Sequence, residues 1–381
     1  MKKFKQQIFL LILLIGLCSC EQNQEKCIIS SGGKKINVTE LDAFLLKTMD
    51  SLEIPGLDIA IIENAAVTYH RTFGVTNTDT KEKINDKTIF EAASMSKPLF
   101  AYFVMKQVDK GLIDLDTPLY KYLPYPDIEY DARYKLITAR LVLSHQTGFQ
   151  NWRYDEPSKK LEIMFDPGTD FSYSGEGYQY LAKVIAHLNK VEESKLDSIF
   201  QNEVAKPLKA DYLFFNWNDS IAKYKAYGHK NGKPTHNFIR PNNPNETRIN
   251  YEFGAAYSLH SNSLNYAKFI IALLQKKGLS KNSFKELLSE QVKVPEENII
   301  RKATSITSWG LGFAIQHTSN GVVYSHFGDN GDFTSYFDFY PDKKSGIIIF
   351  SNSEKIMYTD FITKLGEFLG EDIECDVSKI G

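Results

Sequence analysis

Phe90-Glu91-Ala92-Ala93-Ser94-Met95-Ser96-Lys97-Pro98 leads into an apolar run that continues to Lys110 and stops at Gly111. A segment of that length, apolar nearly all round, is the pattern of a buried helix, and a glycine just past its last turn is the usual way to end one. Ser94 and Lys97 stand three apart on the first turn, so their side chains share a face. An amine so placed can reach the hydroxyl it must deprotonate, and the helix N-terminus favours the negative charge that results. The spacing alone is not selective, because Ser31-Gly32-Gly33-Lys34 and Ser220-Ile221-Ala222-Lys223 repeat it.

Outward from this helix the pattern changes on both sides. Towards the N-terminus, Leu57-Asp58-Ile59-Ala60-Ile61-Ile62 and Val67-Thr68-Tyr69-His70-Arg71 read as two strands around the turn signal Glu63-Asn64. Towards the C-terminus, the runs 309–317 and 322–327 flank Asn320-Gly321, and 334–340 and 347–350 flank 342–346, giving two hairpins. An amphipathic helix over 356–369 closes the chain. Between these ends, 138–144, 178–189, 196–204 and 264–277 read as helices. The stretch 228–250 is polar, with Asn231-Gly232 as a hairpin tip. The expected fold is therefore α/β (α+β): an antiparallel sheet built from both chain ends, flanked by helices, with a mostly helical part inserted between.

The 381 residues carry 45 Lys+Arg against 47 Asp+Glu, so the chain lacks the basic footprint of a nucleic-acid binder. Its 25 Phe and 21 Tyr suit a filled core with a lined pocket. Lys2, Lys3 and Lys5 precede the apolar run 8–17, which is about half of what a membrane-spanning helix needs and fits an export signal. Leu17-Cys18-Ser19-Cys20 follows it and resembles a bacterial lipobox, which implies removal of 1–19 and a diacylglyceryl group on Cys20. The remaining expectations are a tether and first helix over 20–55 and a single domain over 56–381, its sheet from 56–90 and 300–381 and its helical part from 91–299. Cys27 and Cys375 then form a disulfide near the chain ends or stay as two thiols. With three scattered cysteines left and no paired histidines at ligand spacing among eight, a metal site is not expected.

Context sets Ser94 apart from the other two serines. After it come Gly111-Leu112-Ile113-Asp114-Leu115-Asp116-Thr117-Pro118, then Ser144-His145-Gln146-Thr147-Gly148, Pro167-Gly168-Thr169 and Tyr173-Ser174-Gly175. In this order the segments resemble the serine β-lactamase and penicillin-binding-protein superfamily, in its class C and esterase branch, over roughly 57–352. The resemblance implies Ser94 as nucleophile, Lys97 as proton acceptor and Tyr173 as proton relay, with the choice of base between Lys97 and Tyr173 left open. It places His326-Phe327-Gly328 as the substrate-binding inner-strand motif. Gly328 there lets substrate lie along the strand, and the backbone N–H groups of Ser94 and Asp329 form an oxyanion hole. His145, Trp309 and Phe313 are read as packing residues. No cofactor is implied; the partners are a small or peptide-like substrate and, through the lipid, a membrane, at the periplasmic or outer face of an envelope.

Two departures matter. Gly175 stands where the family has an asparagine that bonds the substrate amide, and His326 where a lysine commonly supplies a fixed charge for a carboxylate. A histidine of ordinary pKa, about 6.5, supplies that charge only in part at neutral pH. Both changes point away from β-lactam-type recognition and towards ester, lactone or peptide-like substrates, unless the 228–250 stretch makes up the contacts. A true class C β-lactamase or D,D-peptidase, and a non-catalytic envelope sensor or scaffold, are the alternatives.

Overall fold

A computed structural model describes residues 26–235 and 253–373. Eight strands form the main sheet: β1 (Gly56–Glu63), β2 (Ala66–Gly74), β3 (Val292–Lys293), β4 (Ser308–Trp309), β5 (Ala314–Thr318), β6 (Gly321–Asp329), β7 (Thr334–Tyr340) and β8 (Ser345–Ser351). Their order is β2-β1-β8-β7-β6-β5-β4-β3, and every pair is antiparallel. The two chain ends meet at β1 and β8, where Ile59 stands opposite Ile349 and Ala60 opposite Ile348.

Side chains alternate across a strand, so each inner strand serves two cores. Ile347 and Ile349 of β8 pack with Leu41 and Leu45 of α1 (Val38–Ser51) and Leu365 of α5 (Phe361–Leu369). Ile348 and Phe350 face the opposite way, into a larger core with α2 (Ser96–Asp109), α3 (Gly175–Leu188) and α4 (Ser263–Leu274). The result is a three-layer arrangement of helix, sheet and helix. Seven consecutive residues of α2, Leu99 to Met105, are almost wholly buried, which is why its sequence shows no polar face.

Two expected runs are broken. The stretch 309–317 is not one strand: Gly310-Leu311-Gly312-Phe313 separates β4 from β5. Gly312 there has φ +86°, and a Cβ on it would lie 2.7 Å from that of Ala101 on α2. The closing helix is likewise split, Lys355–Tyr358 and Phe361–Leu369, at Thr359 and Asp360. Among the described residues no helix is long and apolar enough to cross a membrane.

Candidate active site

Ser94 sits in a single 3₁₀ turn, Ala93–Met95, immediately before α2. Ala93 has φ +48°, a left-handed conformation that alanine adopts only at a cost of about 1–3 kcal/mol. Ser96 holds the turn in place: its Oγ donates to the Ala93 carbonyl (2.6 Å) and accepts from the Leu259 N–H (3.0 Å). Nothing in the sequence marked Ser96 for this task; only the contact with Leu259, far along the chain, gives it one.

Lys97 lies one turn on. Its Nζ donates to Ser94 Oγ (3.1 Å) and to the Ala256 carbonyl (3.0 Å), and it stands 4.5 Å from the centre of the Tyr173 ring. The side chain is buried, and burial alone drives its pKa well below the ordinary lysine range. The neutral amine, which can accept a proton, is thereby favoured. The other two Ser-x-x-Lys sequences make no such pair. Lys34 Nζ donates to the Phe368 carbonyl while Ser31 Oγ accepts from Ser345, and Lys223 lies over the Tyr224 ring.

Tyr173 precedes α3, whose first turn is capped by Ser174 Oγ accepting from the Gly177 N–H (3.2 Å). Its ring packs against His145, Trp309 and His326, with centroids 4.4, 5.9 and 6.1 Å away. Burial pushes the phenol above the ordinary tyrosine range; Ser94 is the polar neighbour that counters it, although no group reaches full hydrogen-bonding geometry with the hydroxyl. His145 is buried and accepts at Nδ1 from the Ser174 N–H (3.0 Å), a packing role that also orients the segment carrying Tyr173.

The inner strand departs from expectation. Phe327 and Asp329 line the cleft, whereas His326 and Gly328, on the opposite side of β6, point towards α2 and the turn that carries Ser94. His326 is fully buried beneath the site, against Trp309 at 5.5 Å and Tyr173 at 6.1 Å, and burial pushes its pKa down to about 3, with Lys97 adding to the effect. It is neutral at any physiological pH, so the expected part-time cation for a substrate carboxylate is not there. Gly328 also has a different task. A Cβ on it would lie 2.1 Å from the Ala92 carbonyl oxygen and 2.4 Å from Ser335 Oγ, so its missing side chain lets the strand close on the turn that carries Ser94.

At the end of the strand, Asn330 donates to Glu91, which also pairs with Lys225 at 2.8 Å. Burial opposes the charge on Glu91, but Lys225 and His260 outweigh it and hold the carboxyl at about 2. This ties the strand end beside Asp329 to the residue three before Ser94.

Above Ser94 and Tyr173 opens a cleft of about 540 Å³. Met164, Ile299, Ile300, Ala303, Phe327 and Met357 give it an apolar lining. Its polar lining includes Gln150, Asn151 and Ser172; among the described residues its charged ones are Glu156 and Asp329, with no lysine or arginine. Gly175 is buried to one side under the Trp152 ring and does not line the cleft. Cys20, Cys375 and residues 236–250 of the polar stretch lie outside the described residues. Among the described residues no group of three or more His, Cys, Asp or Glu is arranged to hold a metal ion.

The family model described as Beta-lactamase matches residues 41–361. The chain belongs to the beta-lactamase family. With it comes the mixed fold of that superfamily, which also includes penicillin-binding proteins and serine hydrolases. The chain is 23% identical over 352 residues to Protein flp of Staphylococcus aureus (strain MRSA252), covering 88% of this chain and 66% of that protein, so it spans just under two thirds of that relative's length. It is 24% identical to Penicillin-binding protein 4* of Bacillus subtilis (strain 168), covering 81% and 70% of the two chains. Among solved structures, EstCE1, a hydrolase with promiscuous acyltransferase activity, superposes with a TM-score of 0.73 at 15% identity over 87% of this chain and 98% of that one. The octameric penicillin-binding protein homologue from Pyrococcus abyssi gives 0.69 at 21% identity, over 90% and 79%. Within this beta-lactamase-family frame, Asn151, Trp152 and Ser96 are the residues around the site that carry no motif in the sequence.

Proposed function

We propose that the protein is a serine acyl hydrolase that forms an acyl-enzyme on Ser94. The observation that carries this is the 3.1 Å contact between a buried Lys97 amine and the Ser94 hydroxyl. Lys97, in its neutral form, takes the proton as Oγ bonds to the substrate carbonyl carbon. The oxyanion that forms is held by the backbone N–H groups of Ser94 and Asp329. Collapse breaks the bond to the leaving group, which receives the proton through Tyr173; water then attacks the ester on Ser94, the acyl–Oγ bond breaks, the carboxylic acid leaves and the hydroxyl is restored. Tyr173 is the weaker candidate for base, since burial keeps its phenol protonated.

The lining points to the substrate class. No basic side chain among the described residues lines the cleft, His326 is neutral, and Glu156 and Asp329 are the charges that do line it. A substrate carboxylate meets repulsion there, whereas an uncharged ester or amide with an apolar group fits the Met164, Ile299 and Met357 wall. The protein is placed at an envelope membrane by a lipid on Cys20, a diacyl anchor being what makes such attachment stable.

Labelling with a fluorophosphonate tests the nucleophile. Stoichiometric modification of the wild type and none of Ser94→Ala is expected; no modification of either refutes an acyl-enzyme on Ser94 and favours a binding protein. For the anchor, Cys20→Ser is expected to release the protein from membranes or block its maturation, and a wild type found free in a soluble extract refutes it.

A further inference from the structure

The chain is close to neutral, with 45 Lys+Arg against 47 Asp+Glu, but its lysines are not evenly spread. Two clefts flank the loop that follows α4. The larger, of about 830 Å³, has Leu279, Phe284, Leu288 and Tyr324 as its apolar lining. Lys276, Lys281 and Lys285 also line it, and all three are exposed. The smaller, of about 290 Å³, is lined by Lys106, Lys209, Lys268 and Lys277. Among the described residues Glu203 is the one carboxylate that lines either cleft, and it is paired with Lys110. Asp342 follows Pro341 at the edge of the larger cleft, and Lys343 and Lys344 come directly after it. A positive face thus stands on a nearly neutral chain.

This face is firmly seated. Gly278 has φ +92°, and a Cβ on it would lie 1.9 Å from Tyr102 Oη, so the loop sits directly on α2. Tyr102 Oη donates to the Lys277 carbonyl (2.9 Å) and Lys106 Nζ to that of Gly278 (2.8 Å). Asp109, the last residue of α2, accepts from the Ser280 N–H (2.7 Å) and from Ser283 Oγ (2.6 Å). Ser94 stands just before the first residue of α2, and the lysine face lies at the other end of this 14-residue helix, about 20 Å long.

The face also adjoins the N-terminal hairpin. Gln275 Nε2 donates to the Ala65 carbonyl (3.4 Å), the Ala65 N–H donates to the Lys344 carbonyl (2.8 Å), and Lys343 Nζ donates to the Ser31 carbonyl. Ser31 lies in the turn that joins Cys27–Ile29 to Lys35–Asn37. Cys20 precedes Lys26 by six residues, a reach of at most about 20 Å.

We propose that this lysine face docks on the acidic phospholipid headgroups of the membrane to which Cys20 tethers the chain. The apolar lining beside the lysines suits a bilayer surface, where lysine stems lie along apolar groups and the ammonium ends reach phosphates. Each lysine near an anionic surface strengthens attachment about fivefold. The face therefore orients a domain that the lipid alone leaves free to turn, and it keeps Ser94 at the end of α2 remote from the bilayer. The tether rests on the reading of Cys20; the charge of the face does not.

The test places the full lipid-bearing chain on vesicles of phosphatidylcholine, alone or with about one third phosphatidylglycerol, and follows acetylation of each lysine by mass spectrometry. Lys276, Lys281 and Lys285 are expected to react at least about fivefold more slowly on the acidic vesicles, with Lys121 and Lys135, exposed and outside both clefts, unchanged. About 1 M salt, which shortens screening to about 3 Å, is expected to abolish the difference. The triple variant Lys276→Gln, Lys281→Gln, Lys285→Gln is expected to lose the protection of Lys277 while hydrolysing p-nitrophenyl butyrate as the wild type does. Equal rates on both vesicles, with the protein floating on both, overturn the docking and leave the anchor standing. Protein that floats with acidic vesicles alone removes the anchor and keeps the docking. Protection by soluble polyphosphate but by neither vesicle assigns the face to a polyanion and overturns the proposal.

Discussion

Gly328→Ala adds one carbon at a place where two accounts of the site disagree. If substrate lies along this strand at Gly328, the methyl group obstructs binding. In the structure it meets the protein instead, 2.1 Å from the Ala92 oxygen. To regain an ordinary 3.4 Å contact that carbonyl must retreat by about 1.3 Å. It is not free to do so, because it accepts from Ser335 Oγ (2.8 Å) and from the Met95 N–H (3.0 Å), while the Ala92 N–H donates to Leu259 (2.8 Å). The displacement therefore passes into Ala93 and Ser94, next in the chain. A misplacement of about 1 Å at a reacting group costs about 10²-fold in rate, and forcing a methyl into a packed site costs about 1–3 kcal/mol. The expected outcome is a kcat about 10²-fold lower on a small ester, a fluorophosphonate labelling rate lowered in parallel, and a lower Tm. A variant with unchanged Tm and labelling rate but a raised KM would put the methyl group in the cleft and refute this account of Gly328.

Three further outcomes are expected. Ser94→Ala and Lys97→Ala should each lower turnover by about 10³-fold or more, and the double variant little further, because the two act as one unit; losses that multiply refute the coupling. The pH profile of kcat/KM should reach its plateau well below the ordinary lysine range near 10.4, since Lys97 must be neutral to accept a proton and burial lowers its pKa; activity still climbing at pH 10 means an ordinary lysine. Carboxylate-bearing substrates, a cephalosporin among them, should turn over slowly and gain nothing between pH 8 and 5, because His326, held at about 3, stays neutral throughout that window; a rise as pH falls through 6.5 restores the histidine cation.

The parts of this protein legible in its sequence are those with a period or a local motif. The strands on either side of the helical stretch could be read because an inner strand such as β8, buried on both faces, shows as the unbroken run Ile347-Ile348-Ile349-Phe350. Ser94 and Lys97 could be read because one helical turn carries both. What could not be read depends on neighbours distant in the chain. Ala93 gives no sign that its φ is positive, since the constraint comes through Ser96 from Leu259. Asn151 and Trp152 sit in a loop with no pattern, and their place beside Gly175 follows from the salt bridge between Arg153 and Glu176.

The distribution of unpaired polar atoms bears on why the site is built so. Buried donors and acceptors without partners each cost about 1–3 kcal/mol, and a folded chain has no reason to collect them. Yet Tyr173 Oη, His145 Nε2, His326 Nε2 and Trp309 Nε1 all lack a partner among the described residues, and the rings that carry them pack about Tyr173 within 6.1 Å of its centre. Beside them stands Lys97, bonded to a hydroxyl and a carbonyl but to no carboxylate. A carboxylate there would satisfy the amine and keep it protonated, ending its use as an acceptor. Burial among aromatic rings instead lowers the pKa of the amine, favouring its neutral form, and raises that of the phenol. In the proposed reaction Ser94 would then face a base able to take its proton and an acid able to give one, an arrangement that stability alone would not select.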